Sequence, residues 1–467
     1  MIQHQKPLRI NRLTSLLAGG CLLLSVTSAA ADVGVELWQQ KYNPVGSSWS
    51  RGYFYTAGFT SNGSILANGL RSEADSGSAV GVRYDAKTGA VVDSPAEWFL
   101  FEYTIYDYAH DRFLDQHIDS SGNVYFVGMG YPASYNTFSA RYNVPNIWKF
   151  GSDYNNPVSG NPDRPLWKKY HVGSGLPDDN AGQFSGMAVD SSDNIYAVGY
   201  FTDLASATSE RDWIIDKYDT AGTRAVGFPL TLDKDSLHDY ASDVATDSEG
   251  NFVVVGSVTV DASVDHYDWV VRKYQSDGTL LWETQYDHAG GHDQALYVAI
   301  DSADDVIVSG YRRNIDPVDE NDWYIVKYAK DGDGNGGVSV LWDQYWDDGG
   351  SRHGSGYEMV LDEKGNFYII GVQQKDGVNY SDRYRSVLQY RDGQTGNLLR
   401  IQDVVLDPTD NNRPDIEHDL LRGLALKGNE LVIVGYTQQD GTYSVTKGIT
   451  GRVVMVDVGF MFKDGFE

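Results

Sequence analysis

The chain has 467 residues, enough for several domains or one large one, and a formal charge of −28. So acidic a surface repels nucleic acid and anionic lipid; cations, basic partners or neutral ligands fit it better, and solubility alone is reason enough for it. The 50 Gly, 32 Tyr and an aromatic share of 13% favour strands and tight turns, and no long segment carries the apolar spacing of a helix.

Residues 1–31 read as a secretory signal peptide. Lys6, Arg9 and Arg12 form a basic start, "LTSLLAGGCLLLSV" is an apolar core too short for a comfortable span, and Ala29-Ala30-Ala31 gives the cleavage pattern before Asp32. The expected location is therefore periplasmic, outer-surface or extracellular. The alternative is a lipoprotein cut before Cys21, although Ala18 stands where Leu is usual and the apolar run continues past the cysteine. Cys21 is the only cysteine, so cleavage after Ala31 removes disulfides, thiolate zinc sites and thiol nucleophiles from consideration. No later stretch is apolar enough for a transmembrane segment.

Residues 32–458 repeat one unit. Its core is Asp-x-x-Gly-Asn, four or five apolar residues, then Gly: "TSNGSILANG" (60–69), "DSSGNVYFVG" (119–128), "DSSDNIYAVG" (190–199), "DSEGNFVVVG" (247–256), "DSADDVIVSG" (301–310), "DEKGNFYIIG" (362–371) and "LKGNELVIVG" (426–435). The steps between copies run from 54 to 71 residues, a period that means an array of one supersecondary unit. An apolar run precedes each turn and another follows it. A third strand comes next, as in "DWIIDKYD" (212–219) or "DWVVRKYQ" (268–275), and then a fourth, as in "LLWETQYD" (280–287). Runs apolar on both faces suit sheets covered on each side. Seven such units predict an all-β, seven-bladed β-propeller of four-stranded blades. "VELWQQKYN" (35–43) matches a fourth strand, while "GRVVMVDV" (451–458) matches a third strand that lacks its fourth. The N-terminal strand is therefore expected to complete the last blade, closing a monomeric ring. Residues 459–467, "GFMFKDGFE", form a tail, read either as a sorting tag or as a flap on the ring.

In these units the chain resembles the bacterial β-propeller repeat family of exported and surface proteins, the SBBP type with D-x-x-G-N-x-Y-V-x-G units. The resemblance covers nearly all of the mature chain. It implies the propeller fold and an exported protein, and it assigns no chemistry.

Nine residues before each turn lie Arg51, His110, Ala181, His238, His292, His353 and His418. Asp follows the His at Asp111, Asp239, Asp293 and Asp419. These positions fall where each innermost strand begins, near the mouth of the central channel. One reading is a ring of imidazoles binding a ligand or metal. The other is a structural clamp repeated once per blade, with His bonding a polar group of its own blade such as the Asp of "DW" (Asp212, Asp268, Asp322). Arg51 and Ala181 break the pattern and would mark any asymmetric site. A second candidate is "DGDGNGG" (331–337), where Asp331, Asp333 and Asn335 match the first half of a calcium loop. Ser339 and Trp342 occupy its later ligand positions, so a plain hairpin turn is the competing reading. No metalloprotease, nucleophile-elbow or phosphate-loop pattern is present. The expected function is a non-enzymatic scaffold binding a protein or glycan. The alternatives are a channel-mouth lyase or hydrolase acting on polysaccharide and a calcium-stabilised surface adhesin.

Overall fold

A computed structural model describes residues 35–42, 51–73, 76–92, 98–99, 112–130, 143–152, 165–171, 180–203, 210–234, 237–261, 266–313, 321–346, 354–374, 384–404, 418–438 and 450–457. The signal peptide, His110, His353 and the tail lie outside them. Every named element among the described residues is a strand, and none of them forms a helix long and apolar enough to cross a membrane.

Strand β1 (Val35–Tyr42) precedes β2 (Arg51–Phe59), β3 (Ser64–Glu73), β4 (Ser76–Asp85) and β5 (Trp98–Phe99). A second group is β6 (Arg112–Ile118), β7 (Val124–Gly130), β8 (Val144–Phe150) and β9 (Trp167–Tyr170). The third is β10 (Asn180–Val189), β11 (Ile195–Asp203), β12 (Arg211–Tyr218) and β13 (Leu230–Leu232). The fourth is β14 (Asp239–Thr246), β15 (Phe252–Asp261), β16 (His266–Tyr274) and β17 (Leu280–Tyr286). The fifth is β18 (Gln294–Ile300), β19 (Val306–Arg313), β20 (Asn321–Gly332) and β21 (Val338–Trp346). The sixth is β22 (Gly354–Leu361), β23 (Phe367–Gln374), β24 (Tyr384–Arg391) and β25 (Leu398–Val404), and β26 (His418–Lys427), β27 (Glu430–Gln438) and β28 (Thr450–Asp457) finish the chain. Each group of four is one antiparallel sheet in chain order, and the final sheet runs β1-β28-β27-β26. First strands touch in succession from β2 to β26, and β26 touches β2. Four-stranded sheets arranged as blades around an axis are a β-propeller.

The turn motif explains itself in atoms. Asp247 Oδ1 accepts the N–H groups of Glu249 (3.0 Å) and Asn251 (2.8 Å), and Oδ2 accepts Asn251 Nδ2 (3.0 Å). Asp119 and Asp190 hold their turns in the same way. The fourth residue has left-handed backbone, at φ 83° in Gly250, which glycine adopts without cost. Asp193 (φ 59°) and Asp304 (φ 65°) take that conformation with a side chain. Each spends its carboxylate on the blade before: Asp193 Oδ2 accepts Ser120 Oγ (2.8 Å) and Asp304 Oδ2 accepts Ser248 Oγ (2.7 Å).

Apolar runs are buried from both faces. In β15, Phe252 and Val254 join the cluster shared with the third blade, while Val253 and Val255 join the one shared with the fifth. Alternate side chains of one strand thus serve two neighbours, which removes the in-out alternation of a half-exposed strand. The glycine ending each run has a spatial reason. A Cβ on Gly256 would sit 2.0 Å from the Tyr240 carbonyl and 2.9 Å from the Trp213 ring. The third-strand Lys ties blades together. Lys273 Nζ pairs with Asp247 of its own turn (2.8 Å) and donates to Lys330 O of the next blade (3.1 Å), which Trp282 Nε1 also reaches (3.2 Å). Lys149 and Lys327 repeat the arrangement.

Candidate functional site

The mouth of the ring is the rim where first strands begin and second strands end. There the aspartate, not the histidine, of the His-Asp pairs makes the repeated clamp. Asp239 accepts Lys234 N (2.7 Å) from the incoming loop and Thr259 N (3.1 Å) from the end of β15. Asp293 accepts His288 N and Arg313 N (3.0 Å) at the matching places in the fifth blade. Both carboxyls are fully buried, and that burial pushes each up to about 7 against the pull of its backbone bonds.

The histidines do something different. His238 Nδ1 accepts the Arg211 N–H (3.1 Å) and lies 3.1 Å from Glu210 Oε2, both on the blade before it rather than on its own "DW" aspartate. His292 lies against the Tyr267 ring (5.6 Å between centroids) and near His266 (6.4 Å). Arg51 and His418 open β2 and β26, but their side chains, like all of His110 and His353, lie outside the described residues. Ala181 follows the first residue of β10 and brings no polar atom to the rim.

Tyrosine and arginine form the continuous feature of this face. In the third to fifth blades, Tyr200 meets Tyr240 (5.4 Å), Tyr240 meets Tyr267 (6.0 Å), and Tyr267 meets His292. The Arg211 guanidinium lies 5.1 Å from the Tyr200 ring, and its Nη1 donates to the Tyr240 hydroxyl (2.7 Å). Across the ring, Tyr53 meets Tyr436 (5.0 Å) and Arg422 covers Tyr357 (4.9 Å). Arg112 sits between the two arcs, close enough to oppose the upward shifts of both Tyr55 and Tyr200. Burial nevertheless pushes Tyr55 to about 12 and raises Tyr200. These phenols are held neutral, as donors and stacking faces rather than bases. Periodicity hides this belt, because its members come from different strands of successive blades and only the ring brings them together.

Further along the axis lie three carboxyls that the repeat also conceals. Asp115, Asp243 and Glu358 sit four residues before their turns, on first strands of the second, fourth and sixth blades. Each reaches across to the following blade: Asp115 to Met187 N (2.9 Å), Asp243 to Val298 N (3.0 Å) and Glu358 to Leu424 N (2.9 Å). They are half-buried and lie close enough to raise one another across the blades. Desolvation pushes Asp115 up to about 6 and Asp243 to about 8, the latter helped by Asp115, and raises Glu358 strongly. Gly186 leaves room for one of them, since a Cβ there would lie 2.6 Å from Asp243 Oδ1.

On the opposite face, Asp331, Asp333 and Asn335 belong to the β20–β21 hairpin. Asp333 Oδ1 accepts its own turn's N–H groups from Asn335 (2.8 Å) and Gly337 (3.1 Å), the bonding of a plain Asx turn. Asp331 faces a groove of about 430 Å³ between the fourth and fifth blades, lined also by Asp247, Lys273, Trp282, Asp304 and Lys330.

No family model matches the chain, and no curated protein matches it. Among solved structures it is similar to a protein of unknown function from Dyadobacter fermentans, at TM-score 0.48 and 11% identity over 91% of this chain and 98% of that one. It is similar to the polysaccharide lyase Uly1 at TM-score 0.48 and 8% identity, over 91% of this chain and all (100%) of that one. A thermostable family-43 glycoside hydrolase matches at TM-score 0.32 and 13% identity, over 59% of this chain and 89% of that one. No activity passes from these proteins to this chain at such scores.

Proposed function

We propose that the sheets close into a ring of seven blades, that the protein is exported, and that the tyrosine–arginine mouth binds a glycan without transforming it. The belt from Tyr200 through Tyr240 and Tyr267 to His292 carries this reading. Flat phenol faces stack on the apolar face of a sugar ring, while hydroxyls and guanidinium groups bond its oxygens. Binding is favoured over catalysis because the phenols whose shifts are resolved on this face are pushed away from phenolate. The axial carboxyls, for their part, are committed to backbone N–H groups. A glycan array probed with the full chain and with Tyr240→Ala tests it: retained binding in the variant, or no bound glycan at all, sinks the reading.

A second reading places polysaccharide cleavage at the same mouth. The Arg211–Tyr240 hydrogen bond favours it, since a cation beside a phenol suits a uronate carboxylate next to a proton-transfer group. Release of new chain ends from polyuronate, abolished by Tyr240→Phe, would establish it in place of passive binding.

A further inference from the structure

The mouth of the fourth blade carries a cluster outside the clamp and the belt. His266 and Asp268 are two apart on β16, so they share one face of the strand. The register Trp269↔Tyr286 sets Asp287, just beyond β17, opposite Asp268. His266 Nε2 lies 3.3 Å from Asp268 Oδ1 and 3.6 Å from Asp287 Oδ1. One ligand atom from each side chain falls within 4.8 Å of the others, the one such group of His, Cys, Asp or Glu among the described residues.

Three observations go beyond proximity. First, Asp268 is 93% buried as a side chain (7% accessible), yet its Oδ1 and the facing His266 Nε2 both lack a hydrogen-bond partner. A buried ring nitrogen and a buried carboxylate oxygen 3.3 Å apart without a hydrogen bond leave a desolvation cost that a metal ion between them, or a proton on the imidazole, would remove. Second, the spacing suits an ion. A tetrahedral shell with bonds of about 2.0–2.1 Å separates its ligands by about 3.3–3.4 Å. Third, Asp268 is oriented from behind: the Gln285 amide donates to its Oδ2, and the Gln285 carbonyl accepts from Lys234 Nζ. Such outer partners fix first ligands at metal centres.

We propose that His266, Asp268 and Asp287 bind a divalent transition-metal ion, with zinc the best match to one imidazole and two carboxylates. Three protein ligands leave a position for water or for a ligand oxygen, on the half-exposed Asp287 side (49% accessible). At the matching positions of the third blade stand Glu210, Asp212 and Asp233, with no imidazole among the three, so the cluster does not recur in that blade. This inference stands apart from glycan binding and does not require it.

The test is calorimetric titration of chelator-treated full-length protein with zinc, together with the visible spectrum after cobalt addition. The expected result is one zinc per chain, a tetrahedral cobalt spectrum, and affinity weakened about tenfold or more by His266→Ala and by Asp287→Asn. His238→Ala should change nothing. Asp287 is exposed enough that its variant should fold even where His266→Ala does not. Absence of stoichiometric binding, or binding that both variants leave unchanged, overturns the proposal and leaves His266 as the centre of an ion pair alone.

Discussion

On the turn rim, Asp247 meets two backbone N–H groups, an amide and a lysine, and Asp119 and Asp190 make the same turn bonds two blades and one blade earlier. On the mouth rim, Asp239 and Asp293 meet two backbone N–H groups and no cation, while the side chains around them change from blade to blade. Against burial, the hydrogen bonds from Asn123 and Tyr125 with the Lys149 charge hold Asp119 below the usual carboxylate range, and those from Lys273 and Asn251 hold Asp247 there. Burial without a cation pushes Asp239 and Asp293 up to about 7. The same residue type therefore works in opposite protonation regimes on the two faces. One rim is a repeated fastening. The other leaves its outward side chains free to differ, and differing side chains are what a binding surface needs.

The largest expected effect is on the turn rim. Lys273→Met leaves the Asp247 carboxylate buried without its cation, and unfolding in denaturant should show a loss of about 3–5 kcal/mol. A loss under about 1 kcal/mol would mean that the turn bonds alone satisfy Asp247. Next comes the axis. Asp243→Ala strips the acceptor from Val244 N and Val298 N and should cost about 2–3 kcal/mol in the same assay, with Asp243→Asn milder.

The two rims should also separate in pH. Asp239, Asp293 and Asp243 have folded values of about 7, 7 and 8, above the ordinary carboxylate value of about 3.9. Folding therefore takes up their protons. Their stabilisation is complete below about pH 4 and is lost as pH rises through about 7 to 8. Asp119 and Asp247 are shifted down, so their contribution is present above about pH 4 and is lost as pH falls below it. Melting temperature should peak in mildly acidic buffer and decline toward pH 8, and Asp243→Asn should flatten the alkaline decline. A melting temperature that climbs steadily to pH 8 would refute the assignment.

Smaller effects should follow at the mouth surface. Tyr240→Phe removes one hydroxyl bonded to Arg211 and should move stability by no more than about 1 kcal/mol, while weakening any glycan binding. The smallest belongs to Asp304→Gly. It gives up the bonds to Ser248 but relieves a left-handed aspartate, two terms of about 1 kcal/mol that oppose each other. A large loss there would mark the Ser–Asp link as a principal tie between blades.

The fold was legible because each blade carries its own punctuation. Asp-x-x-Gly-Asn writes a turn in local hydrogen bonds, and a run such as Phe252–Val255 announces burial on both faces. The histidine spacing was also visible, but its meaning was not. Counting back nine residues finds His238 and His292, and nothing in the count says that the neighbouring aspartate makes the clamp. The tyrosine belt and the His266 cluster had no periodic signal. Tyr200, Tyr240 and Tyr267 are 40 and 27 residues apart on three different strands, and Asp287 joins Asp268 only through strand register.

By itself the sequence determined the all-β architecture, the turn chemistry and the four-strand unit, because these rest on contacts within a few residues and on a two-residue side-chain period. The tertiary structure decided which polar atoms meet across blades: Asp243 with Val298, Lys273 with Lys330, His266 with Asp287. Those meetings depend on how each sheet turns against the next. Asp239 and Asp247 are both buried, and the donors and cations that meet them there, rather than residue type, set whether each is a charged fastening or a protonated bridge.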